Sequence, residues 1–491
     1  MRKDIHFVCK GCPSNMANLC DKGVCLPYVD DARRAEILAE PMPLDYNGIR
    51  FTSDAMDCAF PIAIDSHSGC SYGCLYCFAN NLMRAPDRNP DKVKKLFEKG
   101  TLYSEFDIKI LEKFLNREYN SDIARAMYPL LDAGMPVQLG ALGDPLDEIE
   151  KARGWLLKAI PMFQEHKIPV RVGTKGALTM MLPEYRDLFH KTPEQFWFAF
   201  SIISADDDLI TAVDIAAPNA TERFAAMKAY AAEGHPVSLR FRPFLPGLSD
   251  RNDGIVRMMD KAAECGAQAV SFEFIFLESG LTSRQKVMYH HMFKTQGNPN
   301  FGKEWNAASK KIESCRRGSR EEKFEVMVKV RELAHERGIR FACSDPHFKE
   351  WNDTGCCCGV RPDDPIFGKW SRRQLTNVVY EMKTDFDNGI RRQVSYEDWA
   401  PQWAHDVLAV KMFNNGDWHN KRIKKNQTFG DTMRNKWNNP PRPRSPHIYF
   451  AGIMRPVGVD DKTDDVVYEY RDWQPGQDKK FIGECPEKPV K

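Results

Sequence analysis

Residues 68–80 read Ser68-Gly-Cys70-Ser-Tyr-Gly-Cys74-Leu-Tyr76-Cys77-Phe-Ala-Asn80, and the fold is read outward from them. Three thiols at spacings of four and three, on a glycine-bearing loop, can converge on one metal centre. Thiolates are the ligands of iron–sulfur clusters, which normally take four. Here the run supplies three, which leaves one iron open to a group that is not protein. A zinc site is the competing reading. Zinc sites usually carry paired Cys-x2-Cys knuckles, and three ligands alone leave the tetrahedron incomplete. The motif follows a strand-like run and opens a helix-like one, which favours the cluster.

The chain has 491 residues, beyond the usual range of a single domain, so a large core domain with appendages is expected. Its 42% apolar and 28% charged residues describe an ordinary soluble protein. No run approaches the roughly 18 apolar residues of a membrane span. The start, Met1-Arg-Lys-Asp-Ile-His6, lacks the apolar core of a signal peptide. A net charge of +2 gives no global attraction to nucleic acid, so that partner must rest on local patches. Fifteen cysteines without a secretion signal point to metal ligation in a reducing compartment, and the expected location is the cytoplasm.

Beyond the motif, runs rich in branched residues alternate with helical stretches. Strands are expected at Pro61–Asp65, Pro136–Gly140, Ile168–Thr174, Phe196–Ser201, Pro236–Arg242 and Ala269–Phe276, with a seventh at Ile339–Ser344. Pro183–His190, Ala220–Glu233 and Asp253–Cys265 have helical periodicity. Such alternation argues for parallel βα units, whose active groups gather at the carboxyl ends of the strands. Chemistry-bearing residues do fall there. Gly140, Gly143 and Asp144 follow the second strand, where open backbone and a carboxylate suit an ammonium group. Lys175 follows the third and can pair with a carboxylate as a compact charge. Ser201 and Ser204 end the fourth, and Arg240 and Arg242 lie on the fifth.

The Cys-x3-Cys-x-aromatic-Cys pattern, with Tyr76 in the aromatic slot, resembles the radical S-adenosylmethionine (SAM) enzymes. The resemblance implies a partial (β/α)6 TIM-type barrel. It also implies a [4Fe-4S] cluster on Cys70, Cys74 and Cys77, whose open iron takes the amino and carboxylate groups of SAM. Reduction would cleave SAM to a 5′-deoxyadenosyl radical, with flavodoxin or ferredoxin as the electron donor. Gly143-Asp-Pro-Leu-Asp-Glu-Ile-Glu150, Gly173-Thr-Lys-Gly-Ala-Leu178, Phe196-Trp-Phe-Ala-Phe-Ser-Ile202 and Arg240-Phe-Arg-Pro-Phe-Leu-Pro-Gly-Leu-Ser-Asp250 resemble, in order, the spore photoproduct lyase-like (DNA repair photolyase-like) branch. By that resemblance Lys175 and Ser201 are SAM contacts and Tyr76 lies on the adenine side. Gly140, Gly143, Asp144 and Arg240 complete the cofactor set. Gly143 stands where the branch often has threonine and Gly176 where it often has serine. No residue here matches the lyase's hydrogen-donating cysteine.

Two further cysteine groups flank the barrel. Cys9, Cys12, Cys20 and Cys25 lie in a segment, residues 1–60, too short to bury a core, and would close a zinc site or an auxiliary cluster. Cys343, Cys356, Cys357 and Cys358, at the end of a barrel domain spanning 61–361, are read as a third metal site. Residues 362–491 read as an irregular extension. Lys421-Arg-Ile-Lys-Lys425, Arg434-Asn-Lys-Trp437 and Pro440-Pro-Arg-Pro-Arg444 make it basic, with interleaved aromatics suited to phosphates and bases. Tyr289-His-His-Met292 is a further substrate-contact candidate, with a structural role as the plainer reading.

The reading is a radical SAM enzyme of isomerase or lyase type acting on a thymine-derived base in DNA, with no membrane partner. Rearrangement of a hypermodified thymine, such as the glycyl-thymidine found in some phage genomes, is favoured over thymine-lesion repair. Radical modification of a peptide or RNA is the alternative within enzymes. A non-catalytic, metal-stapled nucleic-acid-binding protein is the alternative outside them.

Overall fold

A computed structural model describes residues 42, 44–52, 57–77, 79, 104–214, 216–278, 310–312, 315–369, 374–400, 428–442 and 445–477. Its centre is an eight-stranded sheet. In chain order the strands are β1 (Ile49–Phe51), β2 (Ile62–Ile64), β3 (Val137–Leu139), β4 (Val170–Thr174), β5 (Phe196–Ser201), β6 (Val237–Phe244) and β7 (Ala269–Phe274). A small antiparallel sheet of β8 (Leu277–Glu278), β9 (Lys310–Ile312) and β10 (Cys315–Arg317) intervenes before the eighth strand, β11 (Arg340–Cys343). The sheet order is β1-β2-β3-β4-β5-β6-β7-β11, with β2 through β11 all parallel and β1 antiparallel to β2. All seven expected strands are present, the seventh included, and β1 is an addition that sequence reading did not supply.

Helices connect the strands. They are α1 (Ile108–Leu115), α2 (Asp122–Asp132), α3 (Glu148–Arg153), α4 (Trp155–Glu165), α5 (Ala177–Met180), α6 (Pro183–Phe189), α7 (Asp207–Val213), α8 (Ala220–Ala232), α9 (Gly254–Glu264) and α10 (Arg320–Glu336). Their starts follow local chemistry. Asn219 caps α8 and Ser319 caps α10, each in a reciprocal bond with a glutamate three residues on.

The two faces of the sheet are packed differently, because side chains alternate along each strand. Phe196, Phe198 and Phe200 of β5 join the large core under the helices, where Phe198 meets Tyr230 of α8 at 4.6 Å between ring centroids. Trp197, between them, points the other way. It packs with Ala59, Phe60, Cys356, Cys358, Val360 and Phe367 in a separate apolar cluster, edge-on to Phe367 at 5.5 Å. The chain after β11 therefore folds back over the inner face. Gly359 fits there because a Cβ would lie 2.4 Å from the Ala269 side chain.

Beyond the barrel, α11 (Leu375–Asp387), β12 (Gln393–Val394), α12 (Tyr396–Trp399), α13 (Phe429–Trp437), α14 (Pro446–Tyr449), β13 (Met454–Val459) and β14 (Val466–Tyr470) form an ordered unit on a β12-β14-β13 antiparallel sheet. The extension expected to be irregular is regular in these residues. The physical reason is its aromatics, which pack inward: Trp437 is fully buried, stacked on Trp399 at 5.4 Å and edge-on to Tyr468. Buried Asp57 fastens this unit to the barrel. It accepts hydrogen bonds from the Lys349 ammonium (2.7 Å), the Thr376 hydroxyl (2.7 Å) and the Tyr449 hydroxyl (2.9 Å).

Candidate metal and cofactor site

The Cys70–Cys77 loop leaves the carboxyl end of β2 and is tied down on both sides. On one side the Ser71 amide and hydroxyl donate to Asp147 Oδ2 at 2.7 and 2.9 Å, and the Tyr72 hydroxyl donates to the Leu146 carbonyl at 3.0 Å. On the other the Leu75 amide donates to the Val213 carbonyl and the Ala216 amide to the Tyr72 carbonyl. Gly69 and Gly73 take positive φ, so the loop turns where side chains would be strained. Asp147 also caps α3 through the amides of Ile149 and Glu150, and its other side faces His67 Nε2 at 3.4 Å. Its carboxyl is held below the usual range against its burial, chiefly by the His67 charge and hydrogen bond.

A buried ionic network lies against the loop. Lys175, directly after β4, donates from Nζ to Cys74 Sγ (3.0 Å), the Tyr76 hydroxyl (2.7 Å) and Asp214 Oδ1 (2.9 Å). The Tyr76 hydroxyl also donates to Asp214, and Arg223 Nη1 reaches Asp214 Oδ2 at 2.7 Å and the Ser201 carbonyl at 3.0 Å. Asp214 is thus shared by two cations and a phenol. Although burial opposes ionisation, Lys175 and Arg223 hold its carboxyl far below the ordinary range. The Cys74 thiol is pushed up to about 12 by burial and by Asp214, with Lys175 opposing.

None of Cys70, Cys74 and Cys77 is in a disulfide. Among the described residues no three His, Cys, Asp or Glu side chains stand close enough together to hold a metal ion. The fit of the loop to a cluster is therefore one of donor chemistry, three soft thiols on one glycine-hinged loop beside a cation, rather than a preformed cage.

The cofactor candidates divide. Tyr76 and Lys175 meet directly, and Ser201 joins them through Arg223. Asp144 turns inward: Oδ1 accepts from the Thr174 hydroxyl at 2.7 Å and Oδ2 from the Lys175 amide at 2.6 Å. It fixes the backbone that carries Lys175, and burial pushes its carboxyl up to about 6. Gly140 serves packing, since a Cβ there would lie 2.4 Å from the Gly173 carbonyl at a φ of +75°. Gly143 is half-buried in the bend before Asp144. Arg240, on β6, brings Nη1 within 3.5 Å of where a Cβ of Gly173 would stand.

The third metal group is not formed. Cys343 packs in the core under the helices, whereas Cys356 and Cys358 pack on the inner face with Trp197. Strand alternation explains this, because Cys343 pairs with Phe272 while the neighbouring Ser271 faces inward and donates to the Cys357 carbonyl. Cys9, Cys12, Cys20 and Cys25 lie outside the described residues, as do Tyr289–Met292 and Lys421–Lys425. In the described part of the tail, Trp437 is buried and Arg434 is engaged by Asp465 and Glu397. Trp437 is therefore not available to stack a base, and Arg434 already holds two carboxylates.

Sequence reasoning missed Asp214, Arg223 and His67. Asp147 carried a helix-start signal in the acidic run that follows it, but its bond to Ser71 spans 76 positions. Asp214 carried none.

No family model matches the chain, and no curated protein matches it. Solved structures do. The chain is similar to spore photoproduct lyases. One, a double mutant with bound AdoMet and dinucleoside spore photoproduct, is 16% identical at a TM-score of 0.43, over 61% of this chain and 80% of that one. A second, complexed with dinucleoside spore photoproduct, is 15% identical at a TM-score of 0.41, over 60% and 79%.

Glu150, in the first turn of α3, bears on stability. It is buried, and its Oε1 accepts from the Leu156 amide and the Tyr185 hydroxyl, both at 2.8 Å. Burial pushes its carboxyl from 4.5 up to about 8. A folded value above the unfolded one stabilises fully below the unfolded value, and that contribution is lost as pH rises through the folded value. Each pH unit of that rise costs about 1.4 kcal/mol. Denaturant titrations at pH 5, 7 and 8.5 should therefore show a falling stability that Glu150→Gln flattens. A mutant with the same slope as wild type would refute the assignment.

Proposed function

We propose that this chain is a radical SAM enzyme that acts on a thymine-derived base in DNA. The observation that carries the reading is the loop of Cys70, Cys74 and Cys77 at the carboxyl end of a parallel strand, with the Lys175 ammonium 3.0 Å from the Cys74 sulfur. Cys70, Cys74 and Cys77 would hold the [4Fe-4S] cluster, and Tyr76, Lys175, Ser201, Gly140, Gly143 and Arg240 would line the SAM side. Bound there, cluster and SAM supply hydrogen-abstracting radical chemistry on reduction, with a flavodoxin or ferredoxin as donor. The protein's part is positioning. Asp214 and Asp144 fix Lys175 from its side chain and its backbone, and Asp147 fixes the thiol loop through Ser71. The DNA substrate is supported by the order of the four motifs along the chain, and rearrangement of a modified thymine is preferred to lesion reversal.

Anaerobically reconstituted protein should turn brown, take up about four irons per chain at this motif, and convert SAM to 5′-deoxyadenosine when reduced. A colourless zinc protein that leaves SAM intact would overturn the enzyme reading. Digestion of treated DNA to nucleosides for mass spectrometry tests the substrate. Unchanged nucleosides alongside turnover on a peptide would overturn the DNA part.

A further inference from the structure

Three consecutive cysteines, Cys356, Cys357 and Cys358, take no part in the chemistry proposed above. In an extended chain neighbouring side chains point to opposite sides, which holds adjacent sulfurs apart. Here the chain turns instead. The Gly359 amide donates to the Cys356 carbonyl at 2.9 Å, closing a β-turn with Cys357 and Cys358 at its two central positions. Their Sγ atoms stand 4.0 Å apart. The backbone of the turn is held from outside. Ser271 donates to the Cys357 carbonyl at 2.8 Å, and Arg340 Nε donates to the Gly359 carbonyl at 3.1 Å. A fixed frame therefore presents two sulfurs side by side.

The surroundings give the two sulfurs different characters. Hydrogen bonds from Cys356 and Cys357, then the Arg171 and Arg242 guanidiniums, hold the Cys358 thiol well below its usual range against burial. Cys357, through its hydrogen bond to Cys358 and its own burial, is held well above that range. One sulfur is thus a thiolate and the other a thiol aimed at it, and the thiolate is the form that oxidants attack. Cys358 keeps 8% of its surface exposed and Cys357 is half-buried, so a small oxidant is the fitting reagent. Cys58 packs against the same cluster, but its thiol donates to the Phe60 carbonyl at 3.3 Å. A disulfide between adjacent residues closes almost no loop, so it adds little stability, and strained links of this kind are easily reduced. The pair has the features of a redox site rather than of a structural staple.

We propose that Cys357 and Cys358 form an oxidation site, at which a hydroperoxide converts the two sulfurs to a reversible disulfide across the turn. The Cys358 sulfur attacks the peroxide and breaks its O–O bond. A sulfenic acid forms on Cys358, and the other oxygen leaves as hydroxide, which takes a proton from solvent. The Cys357 sulfur then attacks the sulfenic sulfur. The S–S bond forms, and the S–OH oxygen leaves as water with the Cys357 proton. The sulfurs lose two electrons and the peroxide gains them. The thiolate beside Arg171 and Arg242 is lost in the process, so oxidation leaves this cluster more positive. The site stands independently of the functional reading above.

The test treats the full-length, fully reduced protein with hydrogen peroxide, blocks the remaining thiols with iodoacetamide and maps the peptides by mass spectrometry. The peptide spanning Cys356–Cys358 should lose the mass of two hydrogens, carry one alkylated cysteine, and carry three after dithiothreitol. Its oxidation should outpace that of Cys265, a thiol that burial holds above its usual range, by about tenfold or more. Cys357→Ser should stop at a sulfenic acid on Cys358, which dimedone traps. Cys358→Ser should leave the peptide unoxidised, and Cys356→Ser should still form the disulfide. Three alkylated thiols in treated wild type overturn the proposal, as does oxidation no faster than that of Cys265. A disulfide from Cys358 to Cys356 or Cys58 overturns it too. The wild-type arms decide the matter where a variant fails to fold. No arm reads iron or SAM, so failure of the cluster chemistry is told apart from failure of this site.

Discussion

Asp214→Ala will lower folding stability by about 3–5 kcal/mol, the usual cost of removing one partner from a buried charged group. The carboxylate accepts from Lys175 at 2.9 Å and Arg223 at 2.7 Å, and its loss leaves two cations and the Tyr76 hydroxyl without it. Urea denaturation at pH 7 measures the loss. Its pH dependence separates this cause from a packing defect. The folded carboxyl titrates far below the solution value of 3.8, so its contribution is complete above that value and fades as pH falls through it. The gap between wild type and mutant should therefore begin to narrow below about pH 4 and keep narrowing as pH falls toward the folded value. A gap of constant size down to pH 3 would mean that space-filling, not charge, is what Asp214 provides. Asp214→Asn keeps the volume and should recover only a minor part of the stability.

Cys74→Ala should abolish iron uptake at the central motif and bring SAM cleavage to background, while the thermal midpoint of the iron-free protein moves little. Cys74 is buried, but its sulfur meets the Lys175 ammonium, which keeps Asp214 and Tyr76 as partners when the thiol is gone. Iron analysis and the 5′-deoxyadenosine yield read the first effect, and calorimetry of the apoprotein reads the second. Full iron loading in the variant would show that the metal, if bound, sits at other thiols.

The parallel strands were legible because branched and aromatic runs such as Val170–Thr174 and Phe196–Ser201 are buried on both faces, and doubly buried strands read as unbroken apolar stretches. The position of Lys175 directly after β4 was legible because it ends an apolar run, whereas the partners that bury it were not. Trp437 and Arg434 were harder to place, because Trp and Arg residues look alike in sequence whether they face a ligand or each other. Trp437 finds Trp399 across a gap of 38 positions, and Arg434 finds Asp465 across 31. Cys343 and the Cys356–Cys358 triplet are near in sequence, yet Cys343 packs in the core under the helices while the triplet packs with Trp197 in a separate cluster.

By itself the sequence determined what is local: the spacing of Cys70, Cys74 and Cys77, the period of the strands and helices, and which residues stand at strand ends. The tertiary structure alone decided which charges meet. Asp214 reaches Lys175 over 39 positions and Arg240 closes on Arg171 beside Gly173. A buried charge is stable only beside the partner that the fold brings to it, and spacing along the chain holds no record of that partner.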